Sequence, residues 1–222
     1  AYQMADGKEF DWNNPEMAAN PYEGREPRFY ASILYNGCQW KGETLYTYEG
    51  SVDGYGLGGG TTCTGYYMRK LFDPEISKSQ MRRTDLTFYY MRYAEVLLIY
   101  AEAMAMQDKL TEALEALNEV RDRVDLPAVS ASTKTEFMKL LRHERMVELA
   151  FEGHRFWDLR RWKELAESKD VYGVKITKSN DEVSYKKFTL ESRKISDKLY
   201  FYPISNTELF KNSNLKQNPG WE

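Results

Sequence analysis

Thiol and imidazole chemistry has little to work with in this sequence. Cys38, Cys63, His143 and His154 are the only cysteines and histidines among 222 residues. The histidines lie far from both cysteines in sequence, which argues against a compact metal motif and leaves no metal or cofactor expected. The two cysteines stand 25 positions apart. That spacing is open to a disulfide in an oxidising compartment or to two free, buried thiols.

A basic excess is missing too. Lys and Arg number 31 against 34 Asp and Glu, a net charge of −3, and no long basic run occurs. Nucleic-acid binding by charge neutralisation is therefore not expected. The longest apolar run, Val96 to Ala101, stops at Glu102 and is far too short to span a bilayer. The first residues, Ala1-Tyr2-Gln3-Met4-Ala5-Asp6, lack the charged and apolar regions of a signal peptide. There is no H-E-x-x-H, no P-loop and no G-x-S-x-G.

Aromatic side chains are plentiful instead: 17 Tyr, 10 Phe and 5 Trp. Tyr and Trp combine an apolar face with a polar tip, so they suit surfaces that stay partly wet, although most are expected to fill a core. Residues 1–67 hold 11 of the 14 glycines and 13 of the aromatics, with turn signals at Asn14-Pro15, Asn20-Pro21, Asn36-Gly37 and Asp53-Gly54. Residues 1–84 thus read as a loop-rich aromatic segment. Phe29 to Tyr35 fits a strand or a single helical turn, and periodicity does not separate the two.

Residues 85–168 read as helical. Tyr89 to Gln107 is dominated by apolar residues and favours a largely buried helix. Thr111 is placed to cap a second helix over Glu112–Val124, with Ala113, Leu114, Leu117 and Val120 in one stripe. So short a connection predicts antiparallel packing. Thr133 and Glu136 have capping-box spacing for a third helix running to about Phe151, and Gly153 fits the left-handed stop. His154 to Ser168 is expected to be helical again, with Phe156, Trp157, Leu159, Trp162 and Leu165 as its apolar members. Two helical hairpins result, loosely like tetratricopeptide units without a clean 34-residue repeat. Residues 169–222 read as an irregular C-terminal segment, in which the alternation of 169–200, as at Val183–Phe188, fits a small hairpin or an irregular excursion.

Two constellations tempt a catalytic reading. Glu144 and Glu148 share a helical face, and paired carboxylates serve glycoside hydrolysis. That chemistry needs carboxylates across a cleft, whereas these lie along one helix among interleaved arginines, which points to structural ion pairs. Gly54-Tyr55-Gly56-Leu57-Gly58-Gly59 has the letters of a dinucleotide fingerprint without a preceding strand or following helix. No enzyme is expected.

Several segments, in order, resemble the SusD/RagB family of nutrient-binding outer-membrane lipoproteins. Glu26-Pro27-Arg28-Phe29-Tyr30-Ala31-Ser32-Ile33-Leu34-Tyr35-Asn36-Gly37 is similar to that family's D-P-R-F-Y-x-T-I-x-Y-N-G segment. Gly65 to Phe72, Arg92 to Ala103 and Ala113 to Arg123 resemble further family blocks. His143 to Trp162, including Phe156-Trp157-Asp158-Leu159-Arg160-Arg161-Trp162, is the most specific match, and Pro203 to Trp221 resembles the family's ending. In the last of these Ser205 replaces a family proline.

The resemblance implies a mainly α fold, with tetratricopeptide-type hairpins, long irregular loops and little β, forming the C-terminal half of such a lipoprotein. It further implies non-catalytic binding of an oligosaccharide at the surface of a Gram-negative cell, for polysaccharide utilisation. Delivery would be to a SusC-like TonB-dependent outer-membrane transporter. Membrane attachment would be by a lipid anchor on the N-terminal half. A peptide cargo, or a tetratricopeptide-like scaffold that only docks the transporter, are the alternatives. Sugars present flat C–H faces between hydroxyls, so ring stacking with a polar rim is the expected chemistry. Trp12, Trp40, Tyr46, Tyr48 and Tyr55, in the glycine-rich region, are the candidate ligand-binding residues; no family motif fixes them.

Overall fold

The computed structural model describes residues 1–54, 61–77 and 88–222. They form two compact units. The first comprises 1–155 with 173–188, and the second 156–172 with 189–222.

Three helices build the core of the first unit. In the order of the chain, α1 (Pro15–Ala19) and α2 (Pro27–Ser32) are short, and both have a proline in their first turn. There its missing N–H costs nothing. The segment from Phe29 resolves its ambiguity by being both structures, since α2 passes directly into β1 (Ile33–Leu34). β1 pairs antiparallel with β4 (Tyr67–Met68), and β2 (Gln39–Trp40) with β3 (Glu43–Thr44).

The long helices are α3 (Tyr93–Met106), α4 (Leu110–Asp122) and α5 (Lys134–Glu148). Leu98, Ala101 and Ala105 of α3 face Ala113, Leu117 and Val120 of α4, with Phe137 and Leu141 of α5 closing the cluster. Alanine at the contact lets the backbones approach closely, while Leu and Phe supply the apolar area that drives burial. Asn118 secures the loop after α4, donating to the Val129 carbonyl at 3.0 Å and accepting from its N–H at 2.8 Å.

Helix starts differ from expectation in two places. Thr111 does not cap α4. Asp108 takes a left-handed conformation (φ 60), so the chain turns early and the helix begins at Leu110 behind Lys109. α3 begins at Tyr93 rather than near Tyr89, because Arg92 is extended (φ −144, ψ 161) and its guanidinium is drawn to Glu148 and Glu152. The box of Thr133 and Glu136 forms in both directions. α5 stops at Glu148, and the turn beyond it uses left-handed Phe151 (φ 66) and Gly153 (φ 84).

α3 also carries an unusual outer face. Tyr93, Val96, Ile99, Tyr100, Ala103 and Met106 are all exposed and fall within about 140° of the helical wheel. Exposed faces of helices are ordinarily polar; this one is apolar from end to end.

Beyond α6 (Arg155–Arg161), Lys163 (φ 57) breaks the expected longer helix, and a 3₁₀ turn, Leu165–Ser168, follows. β5 (Asp170–Ser179) and β6 (Glu182–Ser192) pair as a hairpin. Its two-residue turn is Asn180-Asp181, both at positive φ (49 and 67). That geometry matches the right-handed twist of paired strands, and Asn and Asp tolerate it. α7 (Asn206–Lys211) is capped by Ser205, the position where a family proline was missing. Both cysteines are free, Cys38 buried and Cys63 exposed.

Candidate functional site

The carboxylates of α5 are held from several directions. Glu144 accepts from Arg28 of α2 and, at 2.8 Å, from Arg121 of α4. Glu148 accepts from Arg28 at 2.9 Å, Arg92 at 2.6 Å and Arg123 at 2.8 Å. Glu152, just beyond the helix, accepts from Arg92 at 2.7 Å and Lys70 at 2.5 Å. Arg28 is closed off by Glu26, whose other oxygen takes the Gln3 N–H at 2.7 Å.

Burial by itself would raise the Glu148 carboxyl, but hydrogen bonds from Arg92 and Arg28 overcome it and hold the group below its ordinary range. Glu152 behaves alike, with Arg92 and Lys70 as the donors. Carboxylates locked in the ionised state by bidentate arginines are poor general acids. These donors come from parts of the chain distant in sequence. This network is a clamp joining α2, α3, α4 and α5.

The aromatic candidates fare differently from one another. Tyr46 and Tyr48 flank Thr47, which is wholly buried. The Thr47 N–H donates to Asn36 Oδ1 at 2.9 Å and its hydroxyl to the Gly65 carbonyl at 3.0 Å. In an extended stretch, side chains alternate sides, so pinning Thr47 inward turns both tyrosines outward. Tyr46 is 49% exposed and Tyr48 half-buried, with ring centroids 5.7 Å apart.

Close approaches of backbone hold that stretch in place. The Glu49 N–H donates to the Ile176 carbonyl of β5 at 2.8 Å, and Ser51 Oγ to the carbonyls of Tyr46 and Tyr48 at 2.6 Å each. At Gly54 a Cβ would lie 2.1 Å from the Tyr48 carbonyl oxygen, and at Gly65 (φ 84) 2.4 Å from that of Val174. Only glycine fits either position. Lys178 of β5 sits 5.8 Å from the Tyr48 ring centre and is paired with Asp181 at 2.9 Å. The arrangement is two tilted rings on a rigid ledge with ammonium and hydroxyl groups beside them.

Trp40 is not displayed. It is 7% exposed and packs with Leu34, Cys38 and Leu45, its ring flanked by Lys41 and Arg69. The tight turn of β2 and β3 folds it inward, which glycine-rich context alone does not reveal. Trp12 is half-buried against Phe10 at 5.1 Å, and no ring contact joins it to Tyr46 or Tyr48 among the described residues. Tyr55 lies outside the described residues, as does the glycine pattern beyond Gly54.

A second aromatic surface escaped the reading of the sequence. In the second unit Phe156, Trp157, Phe201 and Tyr202 are 42%, 58%, 57% and 59% exposed. Two successive aromatics on a helix point about 100° apart and cannot both face one core, which was the available signal.

The model of the SusD family matches residues 1–221. The chain belongs to the SusD family. A SusD-like protein from Bacteroides fragilis superposes with a TM-score of 0.84 at 32% identity, covering 99% of this chain and 45% of that one. A SusD-like carbohydrate-binding protein from the same species superposes with a TM-score of 0.78 at 28% identity, covering 97% and 46%. SusD-like protein P2 of Formosa agariphila is 31% identical over 150 residues, covering 63% of this chain and 27% of the relative. The chain therefore spans less than half the length of the relatives it matches. It has the mainly helical SusD fold.

Proposed function

We propose that this chain contributes the C-terminal part of a non-catalytic oligosaccharide-binding protein of the outer cell surface. The protein passes its cargo to a SusC-like TonB-dependent transporter and is attached to the outer membrane by a lipid anchor. Among the described residues no helix is long and apolar enough to cross a membrane. The SusD-like carbohydrate-binding protein of Bacteroides fragilis shares the fold across 97% of this chain.

The observation that carries the reading is the ledge of Tyr46 and Tyr48, one exposed and one half-buried ring at a 5.7 Å spacing with the backbone between them tied down. Rings held in advance lose little entropy when a sugar stacks on them. The arginine-locked carboxylates of Glu148 and Glu152, held below their ordinary range, favour binding over hydrolysis.

Titration calorimetry of the full-length protein against a panel of glycans and peptides tests this. Glycan binding is expected. Tyr46→Ala and Tyr48→Ala should each weaken it by roughly 2- to 10-fold, the worth of one aromatic contact, with an unchanged unfolding midpoint. Binding of peptides alone, or tyrosine variants that bind like the parent, overturns the assignment.

A further inference from the structure

We infer that the second unit carries its own carbohydrate subsite, selective for acidic sugars, in the cleft between α6 and the C-terminal tail; this rests on the glycan-binding reading. The cleft has a volume of about 920 Å³, which suits a short oligosaccharide, and Trp157 and Phe201 form its apolar walls. Trp157 is 58% exposed and Phe201 57%, an unusual outlay of ring surface for solvent.

The rim is basic although the whole chain is acidic. Arg160, Arg161, Lys163 and Lys198 line the cleft, against one carboxylate there, Asp197. Arg161 is committed to Asp158 at 2.8 Å. Among the described residues Arg160, Lys163 and Lys198 make no ion pair. A net charge of −3 over the chain makes this local surplus of cations the more distinctive. Positive groups beside low-dielectric ring walls concentrate anions.

Two of these cations are set in position. The Arg160 guanidinium stacks 3.4 Å from the Phe156 ring centre and donates to the Phe156 carbonyl at 3.0 Å. Stacking leaves other N–H groups of its fork free to meet a carboxylate or sulfate. Lys198 lies 4.4 Å from the Trp221 ring, and the Trp221 indole donates to the carbonyls of Lys198 and Phe201 at 2.9 and 3.1 Å. The tail is thereby stapled to the floor of the cleft, so the walls exist before a ligand arrives. A ring face on Trp157 with anionic substituents reaching Arg160, Lys163 and Lys198 satisfies the whole site. A neutral sugar would use the rings and leave the cations idle.

The test compares three oligosaccharides of equal length by tryptophan fluorescence and calorimetry: a uronic-acid oligomer, the same oligomer with its carboxyls reduced to alcohols, and a sulfated oligomer. The uronic or the sulfated oligomer, or both, should bind at least about tenfold more tightly than the reduced one, with affinity falling as salt rises. Which of the two binds identifies the anion. Arg160→Gln and Lys163→Gln, both surface changes, should each remove about tenfold of that preference, and Trp157→Ala should weaken all three ligands. Equal affinity for charged and reduced oligomers, or charge variants that retain the preference, overturns the acidic subsite while leaving the Tyr46 and Tyr48 ledge intact. Failure of every carbohydrate to bind overturns the glycan reading itself and this subsite with it.

Discussion

Arg28 and Glu148 are 120 positions apart in the chain, yet the guanidinium of one donates to the carboxylate of the other at 2.9 Å. Both side chains are almost fully buried. Glu148 also accepts from Arg92 and Arg123, so removing its charge strands several cations at once. Glu148→Gln is therefore expected to destabilise the fold by about 3–5 kcal/mol, the usual result of breaking a buried pair on one side. Urea unfolding checks this; a loss under 1 kcal/mol would mean the arginines find water instead.

The same carboxylates set the response to acid. Their pKa values are lower in the folded state than in the unfolded one, where a glutamate titrates near about 4.3. The stabilisation they give is complete above that value and is lost as pH falls through the lower folded-state values. Unfolding midpoints should hold steady from pH 6 to 8 in this respect and drop progressively below about pH 4.3. Glu148→Gln should make that acid limb shallower. A parent protein whose midpoint is flat down to pH 3 contradicts the clamp.

Much of the helical core was legible because local rules and tertiary contacts agree there. Thr133 and Glu136 announce their helix by a spacing that works through neighbouring backbone alone. The stripe of Ala113, Leu117 and Val120 faces the core as its period dictates. The clamp was only half legible. Which residues of α5 would be paired showed in the sequence, but Arg28 and Lys70 reach them through chain reversals that no periodicity encodes. The display of Tyr46 and Tyr48 was legible only as glycine-rich context, since the buried threonine that turns them outward is pinned by Asn36 and Gly65 from elsewhere in the chain. The same context misled at Trp40, whose fate depends on how β2 and β3 close.

Thr133 offers a local test of that legibility. Its side chain accepts from the Glu136 N–H at 3.2 Å, and the Glu136 carboxylate accepts from the Thr133 N–H at 3.1 Å. Thr133→Ala removes half of the reciprocal pair at an exposed helix start and should cost about 1 kcal/mol. Thr133→Ser should restore most of it. Equal midpoints for the alanine and serine variants would show that packing of Phe137, not the cap, fixes where α5 begins.

The outer face of α3 makes the opposite prediction, a substitution that helps. Val96 and Ile99 are 43% and 48% exposed and stand in an apolar stripe with Tyr100 and Met106. Leu98, on the other side of the helix, is fully buried and does the packing. A charge placed on the stripe meets water in this chain and breaks no core contact. Ile99→Glu should thus leave the unfolding free energy of the isolated chain within about 0.5 kcal/mol, as for other surface changes. It should also reduce the binding of an apolar dye and the tendency to self-associate, since a contiguous exposed apolar patch is what drives both. Leu98→Glu is the control and should abolish folding. If Ile99→Glu proves as damaging as Leu98→Glu, the stripe is already covered within the chain, and the helix is buried on both sides as its composition alone had suggested.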